Sequence, residues 1–220
     1  RKQVIGEFGD IHEAEWAEES IKKMQAKQVL SGYPDGSFRP NQPVKRIEAM
    51  VTAVRLMGLE EEAQASQSSE TTLHFKDAKL LEEKYGWAKG YVIAALKHGL
   101  FDPSDDRIQP DKPASRVWVS ALLVRALGLE NEALEQMTEV PDFADASAIP
   151  AGAVGYVNVA VEEGIVSGYP DRTFKPNKPV TRAEMAAFLD RANDGLLENT
   201  GAFKVQGTIT AIGFTTEGEG

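Results

Sequence analysis

The chain has 220 residues, 42% of them hydrophobic, with 24 Lys and Arg against 34 Asp and Glu for a net charge of −10. That apolar content predicts a folded chain, while the acidic balance excludes a general binder of nucleic acid or anionic membrane, which would need a basic face. The lack of cysteine excludes disulfides, Cys-based zinc sites and thiol catalysis, and no apolar run approaches the roughly 20 residues of a membrane-spanning helix.

In chain order, "FGDI" at Phe8 opens a first unit. A helix is predicted near residues 14–29, with Ile21 and Met24 on one face at i, i+3 spacing. The loop "SGYPDGSFRP" follows, a tight turn in which proline presets φ and glycine accepts positive φ, over a buried Tyr33 or Phe38. A second helix is predicted near 44–58 and stopped by Gly58. "EEEAQASQSSETT" from Glu60 then reads as a polar, irregular link.

The same grammar returns twice. "FKDA" at Phe75 precedes helices near 86–98 and 114–128, with Gly128 as the stop, and "ENEALEQMTEVP" from Glu130 reads as a second irregular link. "FADA" at Phe143 precedes helices near 151–164 and 180–193. The loop prolines Pro40, Pro110 and Pro176 are spaced 70 and 66 residues apart, and Arg46, Arg116 and Arg182 follow each by six. The units span 8–60, 75–130 and 142–194. Residues 195–220 read as a linker and a β-like tail, because "AFKVQGTITAIGF" alternates as a strand that begins a following domain. The middle unit departs: its loop, "FDPSDDRIQP", lacks the glycine turn and is one residue shorter. One unit of about 60 residues has too little core to stand alone, so three are expected to pack as an all-α, pseudo-threefold assembly.

The helix starts carry most of the chemistry. In "VTRAEM", Thr181 fits the N-cap and Glu184 the third position of a capping box, with Val180 stapled on Met185. Ser115 fits the same cap in the middle unit, whereas Lys45 replaces it in the first, where Glu48 keeps the third position. Arginine follows the cap in all three units, where the positive end of the helix dipole disfavours a cation by about 0.3–1 kcal/mol. Two readings stand: an anion site built of free helix amides and a guanidinium, or a salt bridge to a repeated acid such as Asp10, Asp77 or Asp145. Trp16 and Trp87 occupy matching places at the start of the first helices, either as faces for a sugar ring or as packing; Gly152 stands there in the third unit.

No catalytic or metal motif appears. "HEAEW" at His12 is not HExxH, and GxSxG, a P-loop and GxGxxG are missing. "DPSDDRIQPDKP" at Asp102 mimics a calcium loop but has Arg107 for the required glycine and Pro113 for the bidentate glutamate. The reading is therefore non-enzymatic, with no metal and no cofactor.

Phe-x-Asp, Trp-Ala, Gly-Tyr-Pro-Asp-Gly-x-Phe-x-Pro-Asn and Thr-Arg-Ala-Glu, in this order, resemble the S-layer homology domain, over residues 8–193. The first unit carries "GYPDGSFRPN" with "KRIE" for TRAE; the third carries TRAE outright; the middle has "SRVW". The resemblance implies three helix–loop–helix prongs around a central three-helix bundle. It implies non-covalent anchoring of a surface protein to the wall of a Gram-positive bacterium, outside the cell. The ligand it implies is a secondary cell wall polymer, held by its terminal pyruvylated N-acetylmannosamine in grooves between prongs, with the motif arginine taking part. Arg46 and Arg182 are then first among the ligand residues, with Trp16, Trp87, Gly32 and Gly168 as walls and Lys45, Glu48 and Glu184 beside them; Arg116 comes last. The alternative is a structural module for S-layer assembly with degenerate sugar sites. A wall hydrolase finds no constellation here.

Overall fold

The computed structural model describes residues 8–102 and 104–200. They are helical, without strands among the described residues. The helices are α1 (Glu18–Ala26), α2 (Arg46–Leu56), α3 (Glu60–Ser66), α4 (Ala78–Tyr85), α5 (Lys89–Lys97), α6 (Arg116–Ala126), α7 (Glu130–Glu135), α8 (Val154–Glu162) and α9 (Arg182–Thr200). Short 3-10 segments, Ile11–Ala17, Gly86–Ala88 and Ala151–Ala153, lead into α1, α5 and α8, where the sequence predicts α-helix.

The residues that recur at i, i+3 spacing are core: Ile21, Val92 and Val157, and Met24, Ala95 and Ala160, are all fully buried. Gly58 and Gly128 do end α2 and α6, each at φ +75. The next amides close the turn, from Leu59 to the Val54 carbonyl (3.1 Å) and from Leu129 to that of Val124 (3.0 Å). Asp194 holds the equivalent place in the third unit, and α9 runs on through Thr200. The expected linker from residue 195 is therefore helical up to 200, and the alternating segment from Ala202 lies outside the described residues.

The two links expected to be irregular contain helices. After the glycine stops, α3 packs on α5 and α7 packs on α8. The approach is close enough to require glycine: a Cβ on Gly90 would lie 1.9 Å from the Ala63 carbonyl oxygen, and one on Gly155 1.7 Å from that of Ala133. The charged composition of these links hid a single buried alanine in each, Ala63 and Ala133.

The units join as a ring. The first helix of each packs on the second helix of the unit before it: α5 on α2, α8 on α6, and α1 on α9. Just ahead of the second helices three backbone bonds close a triangle, Val44 to Val180 (2.9 Å), Ala114 to Val44 (2.8 Å) and Val180 to Ala114 (2.9 Å). Burial on both sides of these short segments leaves their amides no water, so the neighbouring unit supplies the acceptors.

Candidate functional site

The capping residues behave as the sequence predicts in the third unit. The Thr181 amide donates to Glu184 Oε1 (2.9 Å), and the Glu184 amide donates to Thr181 Oγ1 (3.1 Å). Ser115 accepts from the Trp118 amide at 3.3 Å, and in the first unit only the Glu48 half remains, accepting from the Lys45 amide at 3.0 Å.

The helix amides are not free, which removes them from the expected anion site and leaves the guanidiniums. The first two amides of α2, α6 and α9 donate across the ring. Arg46 and Ile47 bond the Lys112 and Pro110 carbonyls, Arg116 and Val117 those of Lys178 and Pro176, and Arg182 and Ala183 those of Gln42 and Pro40. The salt-bridge alternative fails. Asp10 accepts the amides of Phe38 and Arg39, Asp77 those of Ile108 and Gln109, and Asp145 those of Phe174 and Lys175, so each acid pins the loop of its own unit.

The arginines instead clamp the loop of the following unit. Arg182, 5% exposed, donates from Nε to the Phe38 carbonyl (2.8 Å) and from Nη2 to that of Ser31 (2.6 Å). Its guanidinium lies 4.5 Å from the Phe38 ring centre and 4.9 Å from that of Tyr33. Arg116, 3% exposed, repeats the geometry on the Phe174 (2.8 Å) and Ser167 (2.5 Å) carbonyls. Burial pulls both guanidinium pKa values down, offset in part by Tyr33 and Glu48 at Arg182 and by Tyr169 and Glu184 at Arg116; arginine stays charged.

Arg46 is the exception. It faces the shortened middle loop, where Gln109 Oε1 is its acceptor (3.0 Å), Trp118 lies 5.0 Å away, and its buried Nε has no partner among the described residues. The sequence ranks Arg116 last because its own motif is altered. The geometry is set by the loop downstream, so the altered middle loop affects Arg46 instead.

Arg182 also lines a groove of about 250 Å³ to which all three units contribute. Glu48, Val51, Thr52 and Arg55, at i, i+3, i+4 and i+7, form its floor on one face of α2. Ser31 borders Arg182, and Trp87, 54% exposed, forms the far wall. Trp16, 64% exposed, belongs to the segment that packs on α9, so neither tryptophan is core. Gly32 and Gly168 have a packing role: a Cβ on Gly32 would meet Phe8 at 2.2 Å, and one on Gly168 would meet Phe143 at 2.4 Å.

The sequence reading missed Arg55. Its Nε donates to Glu60 (2.9 Å) and its Nη2 to the Tyr91 hydroxyl (3.2 Å), which in turn donates to Glu60. Arg125, Glu130 and Tyr156 repeat the triad. The signal was present, since Arg55, Arg125 and Arg191 each follow the motif arginine by nine residues.

The equivalent groove between the second and third units measures about 140 Å³ and differs in lining. Phe101 replaces Leu30, Asp102 replaces Ser31, Trp118 replaces Glu48, Gly152 replaces Trp87, and Asp105 adds a second acid. Partial burial, with Asp102 nearby, pushes the Asp105 carboxyl upward. Between the third and first units, Arg116 comes within 5.9 Å of Phe188, which stands where Thr52 stands in α2. Among the described residues no group of three or more His, Asp or Glu could hold a metal ion, and no helix is long and apolar enough to cross a membrane.

The family model described as "S-layer homology domain" matches residues 7–50, 81–116 and 142–186. The chain belongs to the S-layer homology domain family. Its three S-layer homology repeats are similar over 88% of the chain, at 28% identity, to an amylopullulanase of Thermoanaerobacterium thermosulfurigenes, of which they span 10%. Similarity to a cellulosome-anchoring protein of Acetivibrio thermocellus covers 74% of this chain and 35% of that protein at 30% identity. An S-layer protein of Bacillus licheniformis is 31% identical over 83% of this chain and 19% of its own length. The chain thus spans about a tenth to about a third of these relatives, and the S-layer homology repeats recur in bacterial S-layer and cell-surface proteins and beside enzymes.

Proposed function

We propose that this chain anchors a surface protein non-covalently to the wall of a Gram-positive bacterium. The ligand is a secondary cell wall polymer, and the groove of Arg182 and Trp87 holds its terminal pyruvylated N-acetylmannosamine. The three repeats act as prongs around the bundle of second helices, and the grooves between prongs are the ligand sites. The observation that carries this reading is the pairing, across one groove, of an exposed indole with a buried, fixed guanidinium.

Two of the three Arg182 nitrogens are held by carbonyls, and Nη1 has no hydrogen-bond partner among the described residues. A charge fixed this way loses little freedom on binding a carboxylate, a contact worth about 1.5–3 kcal/mol. Trp87 offers a flat apolar face to the sugar ring. Glu48 spends one oxygen on the Lys45 amide and keeps the other to accept a sugar hydroxyl or amide proton. Arg116 with Trp16 makes the second candidate site. The groove with Arg46 is third, because Asp105 and Trp118 stand where a carboxylate would enter.

Isothermal titration with the methyl glycoside of 4,6-pyruvylated N-acetylmannosamine tests the reading. Binding in the micromolar range is expected, weakened about 10- to 100-fold when the sugar lacks pyruvate. Silence with both sugars would sink the reading, and equal affinity would remove the carboxylate from it. Trp87→Ala is expected to weaken binding about 10- to 100-fold with an unchanged unfolding midpoint, since the indole is largely exposed.

A further inference from the structure

The shortened loop of the second unit releases two groups of opposite charge from the duties they have elsewhere. In the other units a loop acid holds its own turn: Asp35 accepts the amide and hydroxyl of Ser37, and Asp171 those of Thr173. Asp105 stands at that place, three residues before Ile108 as Asp35 is before Phe38 and Asp171 before Phe174. Here, however, Asp102 has taken over the turn and accepts the amide and hydroxyl of Ser104. The Asp105 carboxylate is left exposed, with no hydrogen bond or ion pair among the described residues.

Arg46 is released in the same way. Arg182 and Arg116 each spend Nε and Nη2 on loop carbonyls, whereas Arg46 makes one bond, from Nη1 to Gln109. Its Nη2 and its buried Nε have no partner among the described residues. Arg46 and Asp105 line one cavity of about 380 Å³, with Trp118, Asp106 and Arg107 also on it. The two face each other's charge without forming an ion pair: burial lowers the Arg46 pKa against the pull of Asp105, and burial with Asp102 raises that of Asp105 against the pull of Arg125 and Arg46. We propose that this cavity binds a small zwitterion, an α-amino acid, with its carboxylate on Arg46 and its ammonium on Asp105.

The charges select the ligand. A carboxylate alone is repelled by Asp105 and an ammonium alone by Arg46, whereas a molecule with both groups on one carbon meets an opposite charge at each end. The acid that bars the pyruvylated sugar from this groove is thus the one that admits a zwitterion. Of the other charges on the cavity, Asp106 is already paired with Lys76 (2.8 Å), which leaves Arg107 as a second cation for the carboxylate. Trp118, 5.0 Å from the Arg46 guanidinium, steadies it in place, so little freedom is lost on binding. The site is peculiar to the second unit, because only there are the loop acid and the motif arginine both unspent.

The test is an NMR titration of the whole chain, followed at the Arg46 side chain and the Trp118 indole. The probes are alanine, N-acetylalanine, which keeps only the carboxylate, and alaninamide, which keeps only the ammonium, each as both enantiomers. One enantiomer of alanine or both are expected to saturate with a Kd of about 1 mM or tighter. Both single-charge analogues are expected to bind about ten-fold more weakly or worse, and Asp105→Asn and Arg46→Ala each to weaken alanine as much. Asp105 has no partner to lose, so Asp105→Asn is expected to leave the unfolding midpoint unchanged, which shows that the fold is kept. No saturation with alanine up to about 50 mM, N-acetylalanine or alaninamide equal to alanine, or undiminished alanine binding in Asp105→Asn would each overturn the zwitterion site. The pyruvylated sugar is titrated on the same proteins, and its binding at the groove of Arg182 and Trp87 is expected to be unchanged in Asp105→Asn, so the anchoring reading is decided separately.

Discussion

Arg182→Ala is expected to lower the free energy of unfolding by about 2–4 kcal/mol, read from urea titration. The substitution removes the donors of two carbonyls at the seam between the third and first units, that of the buried Phe38 and that of the exposed Ser31. The buried Phe38 acceptor, left unsatisfied, costs about 1–3 kcal/mol, the Ser31 carbonyl turns to water at little cost, and the guanidinium's packing on Tyr33 and Phe38 is lost as well. Arg116→Ala is expected to match it, because the same two bonds recur on Ser167 and Phe174. Arg46→Ala is expected to cost about 1 kcal/mol or less, since it gives up one side-chain bond, to Gln109, and frees a buried unpaired Nε. Equal losses at all three arginines would refute the clamp. The ordering matters for function. Weakened wall binding by Arg182→Ala alone does not show contact with the ligand, because the groove wall at Ser31 moves when its clamp is removed. Arg182→Lys keeps the charge but cannot bridge both carbonyls, so it separates the charge from the clamp.

The repeat period, the helix pairs and the buried faces were legible because each follows from residues close in sequence. Ile21 and Met24 sit three apart, and Gly58 ends its own helix. The site was legible only in part. The sequence marks the arginines as unusual, and each is, but what they bond lies in another unit: Arg182 and Ser31 are 151 residues apart. The same distance hid which of Arg46 and Arg116 clamps a neighbouring loop, since an arginine's bonds depend on the loop it meets and not on its own motif. The links went unread for a different reason. In α3 and α7 a single alanine faces the core, too few apolar residues to register as a period, and the complementary signal was the pair of glycines at Gly90 and Gly155 on the helices they meet.

Those glycines support the second strong prediction, in which helix propensity and packing oppose each other. Gly90 and Gly155 each stand second in a helix, α5 and α8, where alanine is worth up to about 1 kcal/mol of propensity over glycine. Propensity alone therefore predicts that Gly90→Ala and Gly155→Ala stabilise. The new methyl, however, would lie 1.9 Å or 1.7 Å from a backbone carbonyl oxygen of α3 or α7, and backbone cannot rotate aside as a side chain can. Overpacking costs about 1–3 kcal/mol, at the upper end where backbone must move, so both variants are expected to be destabilised by about 1–2 kcal/mol net, with Gly152→Ala, which meets nothing within 4 Å, within about 0.5 kcal/mol of native. A stabilised Gly155→Ala would mean that α7 is free to shift. The consequence for binding is confined to one groove. Displacing α3 carries Glu60 away from Arg55 and Tyr91, which it holds in place under the groove of Arg182 and Trp87. Gly90→Ala is therefore expected to weaken the pyruvylated sugar at that groove while Gly155→Ala, acting through Glu130 and Arg125 on the neighbouring one, leaves it unchanged.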